Sequence, residues 1–386
     1  MNSKTGRRGP LSGLTVLEAG GVGPAPFCAM LMADLGADVI RIDRKDSSES
    51  GLPVDRRYEI MFRNRRSLVL DLKRPEAADI FMRLVRRSDI LIEGFRPGVM
   101  ERLGLGPDVC MAHNPKLIYG RMTGWGQTGP MAQAPGHDIN YIALTGALHA
   151  IGQKNGVPEV PLNLVGDFGG GAMYLAFGVM CALHEARISG KGQIVDAGMI
   201  DGATSLMTMI YGLFAAGYWT DERGSNRLDS GAPFYGVYET KDGRYVALGS
   251  NEARFYKATL NVLGLDVERL PDQHDKTSWP ALKALFSEVF KTRTRDEWCA
   301  AFDGTDTCFS PVLSLAEAPN DPQQIARGNF VECGGVMQPA PAPKFSRTTA
   351  DCPTPAPGVG EHTVEILRES GLSDDEIERL RTASVI

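Results

Sequence analysis

The chain has 386 residues, 43% of them apolar and 23% charged, and a formal net charge of -6. That length suggests about two domains with a sizeable core, and it excludes a wholly disordered, collagenous or coiled-coil protein. The acidic balance speaks against nucleic acid as a main partner, and no run approaches the ~20 consecutive apolar residues of a membrane span.

The basic, polar start over 1–10 reads as no secretory signal, and the last residues match no common retention or peroxisomal tripeptide. Seven cysteines are scattered with no Cys-x-x-Cys pair, which fits a reducing compartment and argues against a thiolate zinc site. A cytoplasmic location is expected, with the peroxisome and mitochondrion left open.

The chain opens on a βαβ pattern. Residues 14–18 read as a strand, 20–26 as a turn, 27–35 as a helix closed by Gly36, and 38–43 as a second strand. A dinucleotide site with Asp43 on a ribose hydroxyl is one reading. The glycine fingerprint fails, however, because Pro26 stands where Gly or Ala is needed for close helix–strand packing. A strand over 67–72, a helix over 75–87, and strands over 89–93 and 117–122 follow. This alternation predicts a parallel sheet covered on both faces, with ligands beyond the strand carboxyl ends.

Further along, 172–187 is apolar all round and predicts a buried helix. Residues 193–196 read as a strand and 200–219 as one long connecting helix. A hairpin over 234–238 and 245–249, turning at Lys241-Asp-Gly243, opens a smaller α+β region with helices near 252–264, 280–291 and 294–302. Pro-rich segments around 339–358 lead to helix over 363–383. The expected domains are 1–197 with 335–386, joined through 198–231 and 326–334 to a small domain over 232–325.

Candidate chemistry sits in turns. Asp138 reads as the N-cap of a helix over 139–148, with His137 just outside it, where an imidazole of pKa near ~6.5 suits acid–base work. Asp167, before the buried helix, reads either as an N-cap or as a reacting carboxyl. Gly169, Gly170 and Gly171 each weaken a helix by about 1 kcal/mol relative to Ala, which suggests close approach of a ligand to free N–H groups. Glu252 alone reads as a first-turn acid. From Arg41 to Arg102 the chain carries 15 Lys/Arg against 11 Asp/Glu, so a small anionic ligand and a solvated surface both fit. Arg44, Lys73 and Arg96 lie near strand carboxyl ends. Arg63, Arg65 and Arg66 are equally basic and read equally well as a solvated loop.

Several motifs together resemble the family III CoA-transferases, and among them the α-methylacyl-CoA racemases. They are Ala33-Asp-Leu-Gly-Ala-Asp38, Arg63-Asn-Arg-Arg66, Glu93-Gly-Phe-Arg-Pro-Gly98, Gly124-Trp-Gly-Gln-Thr-Gly-Pro130, Gly136-His-Asp-Ile-Asn-Tyr141 and Gly166-Asp-Phe-Gly169. The resemblance covers nearly the whole chain. It implies a Rossmann-like α/β large domain, a smaller α+β domain, and two threaded chains interlocked as a homodimer. Each active site would lie between the large domain of one chain and the small domain of the other.

The resemblance also implies CoA contacts from Arg44, Leu70, Asp71, Leu72, Lys73, Gly94, Phe95, Arg96, Arg102, Gly136, Ile139, Asn140 and Tyr141. Its acid–base pair falls on His137 and Asp167, with Glu252 supporting His137 and Asp138 nearby. The family's transferases use the carboxylate at Asp167 as a nucleophile through an acyl anhydride. A racemase instead needs an acid–base group on each face of the α-carbon, which His137 and Asp167 provide. The expected reaction is therefore interconversion of (2R)- and (2S)-2-methylacyl-CoA thioesters by 1,1-proton transfer. The enolate oxygen would be held by N–H groups at Asp167 and Gly169. CoA is part of the substrate, no cofactor or metal is required, and neither nucleic acid nor membrane is an expected partner. CoA transfer between acids and non-catalytic acyl-CoA binding are the alternatives.

Overall fold

Thr15–Ala19 forms β1, buried along nearly all its length, and it sits at the middle of a six-stranded sheet. Its neighbours are β2 (Asp38–Asp43) on one side and β4 (Ile90–Glu93) on the other, both parallel to it. With β3 (Arg66–Val69), β5 (Ile118–Thr123) and β6 (Gln193–Gly198), all parallel, the order is β3-β2-β1-β4-β5-β6. This is the doubly wound arrangement expected from the alternating pattern, and its topological switch point lies between β1 and β4.

The computed structural model describes residues 6–45 and 54–386. In chain order the helices through residue 215 are α1 (Pro24–Asp34), α2 (Pro75–Val85), α3 (Val99–Arg102), α4 (Pro107–His113), α5 (Asp138–Ala143), α6 (Ala147–Ala150), α7 (Met173–Ser189), α8 (Met199–Leu206) and α9 (Thr208–Ala215), and α2 covers one face of the sheet while α1 and α7 cover the other. Alternate strand residues feed two separate cores. Leu17, Ile40, Leu68 and Leu91 pack with Ile80, Phe81 and Leu84 of α2 and with Ile366 and Leu367. Val16, Val39, Ile90 and Ile118 pack with Cys28 and Met32 of α1 and Leu175, Val179 and Leu183 of α7. By contacts the chain separates into two compact units: the described residues through Thr145 with Leu162–Leu206 and Gln323–Ile386, and Gly146–Pro161 with Met207–Pro322.

The second unit holds an antiparallel sheet of β7 (Tyr235–Glu239), β8 (Tyr245–Gly249) and β9 (Phe309–Pro311), the first two being the expected hairpin. Helices α10 (Ala253–Leu263), α11 (Trp279–Phe290) and α12 (Arg295–Phe302) close over it. Its core is aromatic, with Phe234, Tyr238, Tyr256, Phe286, Phe290, Trp298 and Phe302 in mutual ring contact.

Several local expectations are corrected. Helix α1 starts at Pro24 rather than at residue 27, because a helix's first turn has no use for the N–H groups that Pro24 and Pro26 lack. The segment 200–219 is two helices, α8 and α9, and 363–383 is also two, Thr363–Glu369 and Asp374–Thr382, separated by Gly371 at φ +87°. Helix α7 is not buried all round. Leu175, Val179 and Leu183 face the sheet, while Phe177 is 71% and Ile188 76% exposed. By length and composition alone the helical stretch Leu164–Ser189 would cross a membrane, but one side of it is core of the first unit.

The arginine motif at 63–66 is no solvated loop. Arg63 grips Asp34 with two bonds of 2.9 and 2.6 Å, and Arg66 grips Asp38 with two of 3.0 and 2.7 Å. Arg65 and Arg41 share the fully buried Glu18. Burial pushes the Arg65 guanidinium down to about 10. Asp43 is occupied as well, accepting from Arg41 at 2.8 Å and from the Ser67 hydroxyl, so it is not a ribose ligand. These charges are tolerated inside because each is paired and hydrogen-bonded.

Candidate active site

The loops after β1 and β4 flank the switch point, and two cavities open there, each of about 570 Å³. One is lined by Arg44, Leu70, Asp71, Leu72, Lys73, Gly94, Phe95 and Arg96, together with Gly20 and Val22. The other is lined by Gly94, Phe95, Arg96, Gly136, His137, Tyr141 and Asp167. Val22, Gly94, Phe95 and Arg96 belong to both, so the short segment after β4, with Val22, is the shared wall of the two cavities.

The first cavity is cationic. Arg44, Lys73 and Arg96 are exposed, and no carboxylate pairs with their side chains among the described residues. This contrasts with the buried, paired guanidinium groups of Arg63, Arg65 and Arg66. Arg102 is also exposed but lies against Gly98 on α3, outside the lining of both cavities.

In the second cavity the two acid–base candidates come from separate elements. His137 precedes α5 and is exposed, and its backbone N–H donates to the Asn140 side chain at 3.0 Å. The N-cap of α5 is therefore His137, not Asp138, and α5 ends at Ala143. Asp138 is instead the first residue of the helix, and its side chain is buried. Its Oδ2 accepts the Asp167 N–H at 2.6 Å, and its Oδ1 is buried with no hydrogen-bond partner among the described residues. Ile139 and Asn140 are exposed on α5, outside both cavity linings.

Asp167 is not an N-cap either. It lies within a π-helix, Leu164–Ala172, that runs straight into α7. A π-helical stretch bulges the ladder and is common at functional sites. Here the Phe168 N–H reaches the Asn163 carbonyl five residues back at 3.3 Å. The Asp167 carboxylate accepts from the Asn163 amide at 3.1 Å. Burial is the main influence on it and raises its pKa above the usual carboxylate range. The nearby Asp138 charge raises it further, while Asn163 and His137 act the other way.

The glycine run has a different cause from the one expected. A Cβ on Gly170 would come within 2.6 Å of the Ala203 backbone N, and one on Gly202 within 1.8 Å of the Gly170 carbonyl oxygen. The glycines let the π-helix and α8 touch backbone to backbone, rather than admit a ligand. Gly169 lies inside that π-helix, and the Asp167 N–H is already given to Asp138, so neither stands open as an oxyanion donor. By contrast, the N–H groups of Asp138 and Ile139, in the first turn of α5, make no bond among the described residues, as expected at a helix start.

Glu252 belongs to the second unit, at the position before α10, where its side chain caps nothing. Sequence reasoning passed over Asn163 and Val22. Asn163 stands four residues before Asp167, a helical spacing that offered a signal. The described residues contain no group of three or more His, Cys, Asp or Glu arranged to hold a metal ion.

A family model described as CoA-transferase family III matches residues 11–363. The chain is 44% identical over 379 residues to the alpha-methylacyl-CoA racemase of Mus musculus, and 43% identical over 383 residues to that of Homo sapiens. Each alignment covers 97% of this chain and 97% of the relative. The crystal structure of a CAIB/BAIF family protein from Brucella suis superposes with a TM-score of 0.82 at 26% identity, over 94% of this chain and 100% of that one. The doubly wound sheet, the paired cavities at its switch point and a match over nearly the full length agree: the chain belongs to CoA-transferase family III.

Proposed function

We propose that this chain is an isomerase that interconverts (2R)- and (2S)-2-methylacyl-CoA thioesters by 1,1-proton transfer. The carrying observation is that His137 and Asp167, on separate elements, line one cavity that shares a wall with a cationic one. The near full-length likeness to two α-methylacyl-CoA racemases supports the same reading.

In this reading the CoA phosphates and adenine lie in the cavity of Arg44, Lys73 and Arg96, where guanidinium groups suit phosphate. Arg102, away from that wall, acts at most from the rim. The pantetheine arm crosses the Gly94–Phe95–Arg96 wall and brings the thioester to His137 and Asp167. One residue removes the α-proton and the other delivers a proton to the opposite face. Delivery by Asp167 requires a protonated carboxyl, and burial together with the Asp138 charge favours that form. The enolate oxygen needs hydrogen-bond donors in place before the reaction.

No cofactor takes part, since CoA is carried by the substrate. Glu252 would orient His137 in a homodimer, supplied by the second unit of the other chain. Exposed apolar side chains support a partner surface: Phe177 and Ile188 in the first unit, and Tyr211, Phe214 and Tyr218 in the second. The unpaired cysteines fit the cytoplasm, peroxisome or mitochondrion.

The test is hydrogen exchange at C2. Each enantiomer of a 2-methylacyl-CoA is incubated in D2O and followed by NMR. Wild type should incorporate deuterium and epimerise from either side. Asp167→Asn and His137→Gln should both stop epimerisation, each retaining slow exchange of one enantiomer, and not the same one. Transfer of CoA to a free acid with no C2 exchange would instead assign Asp167 as a nucleophile.

A further inference from the structure

The wall shared by the two cavities is held from behind by a carboxylate. Glu93 ends β4 and is fully buried. Its Oε2 accepts the Phe95 N–H at 2.7 Å, and its Oε1 accepts from Arg121 Nε at 2.8 Å. Arg121, on β5, extends the chain of contacts by a fork of 2.7 and 3.2 Å onto Glu101 of α3. A buried carboxylate is tolerated only when it is paired and bonded in this way.

The other side of the same segment is also fixed. A Cβ on Gly20 would meet the Phe95 ring at 2.4 Å, and one on Gly94 would meet the Gly21 Cα at 2.9 Å. The segment after β4 is thus wedged between the loop after β1 and the Glu93 carboxylate. Arg96, the cation common to both cavities, is one residue beyond the pinned N–H.

We infer that Glu93, clamped by Arg121 and Glu101, is a positioning residue for CoA recognition: it fixes the backbone of Phe95 and so the place of Arg96. The inference rests on the CoA reading of that wall. Glu93 touches no reacting atom, so its removal should act on thioester binding and leave the proton-transfer step.

Glu93→Gln keeps the shape, but an amide has one acceptor oxygen and cannot serve both the Phe95 N–H and Arg121. The expected result is a KM for 2-methylacyl-CoA raised by about tenfold with kcat within about twofold, the pattern of lost ground-state binding. Titration of CoA itself should show a similar loss of affinity. Arg121→Lys, which keeps the charge but cannot bridge both carboxylates, should shift KM the same way and serves if Glu93→Gln does not fold. A lowered melting temperature with unchanged KM and CoA affinity in both variants would make the clamp merely structural and overturn the inference. Arg96→Ala separates the two layers. If it weakens CoA binding while the clamp variants do not, only the positioning role falls. If wild type binds no CoA, or Arg96→Ala changes nothing, the CoA reading falls and the inference with it.

Discussion

Gly166 tests the link between the turns that carry Asp138 and Asp167. A methyl group there would lie 2.4 Å from Asp138 Oδ2 and 2.7 Å from its Cγ. Asp138 is buried, and Oδ2 accepts the Asp167 N–H at 2.6 Å, so it cannot yield without giving up that bond. Overpacking a tight site costs about 1–3 kcal/mol. Loss of a hydrogen bond to a charged acceptor adds roughly 1.5–3 kcal/mol. Gly166→Ala should therefore lower unfolding stability by about 2.5–6 kcal/mol if the two contributions add, and should slow C2 deuterium exchange by displacing the Asp167 turn. Denaturant unfolding of Gly166→Ala, Asp138→Ala and the double variant reads the coupling directly. In the Asp138→Ala background the three atoms nearest the new methyl are gone, so its increment should fall below about 1 kcal/mol. An equal penalty in both backgrounds would refute the argument that the carboxylate is what excludes a side chain at 166.

Two further outcomes follow from the same geometry. Burial raises the Asp167 pKa, so this group's contribution to stability is fully present below the ordinary aspartate value of ~3.9 and is lost as pH rises through its raised value. Asp167→Asn should therefore melt above wild type at pH 8 and match it in acid, and a variant that is the less stable of the two at pH 8 would contradict the burial argument. In sedimentation, the protein should run at about twice the 41.8 kDa chain, and dilution to the monomer should abolish C2 exchange if Glu252 of the other chain is required. A fully active monomer rules out the composite site.

The sheet was legible because parallel strands covered on both faces must be short apolar runs, and 14–18, 38–43 and 89–93 are such runs. Helix ends were less so. Proline at a first turn looks the same as proline in a turn, which hid the start of α1. The apolar α7 reads as a buried helix because composition cannot say which protein surface, if any, covers the side bearing Phe177 and Ile188.

Of the candidate residues, those at 44, 70–73, 94–96, 136–137, 141 and 167 do line the two cavities, while Arg102, Ile139 and Asn140 do not, and the connections among them were not legible. Arg44 and Arg65 are alike in type, and both stand in a basic stretch of the sequence. Burial is what the sequence did not reveal: the fold sets Glu18 beside Arg65 and leaves Arg44 at a cavity wall. Asp138 and Asp167 both follow turn-like residues and both read as helix caps, because a short carboxylate before a helix usually is one. What distinguishes them is a contact across 29 positions: the Asp138 carboxylate takes the Asp167 N–H, and Gly166 leaves the room for it. Asp138 then holds the turn at Asp167 and, through its charge, favours the protonated form of that carboxyl. The same carboxylate type thus serves as an anchor at 138 and stands at a cavity wall, with its protonated form favoured, at 167. The difference is set by which atoms the π-helix turns toward it.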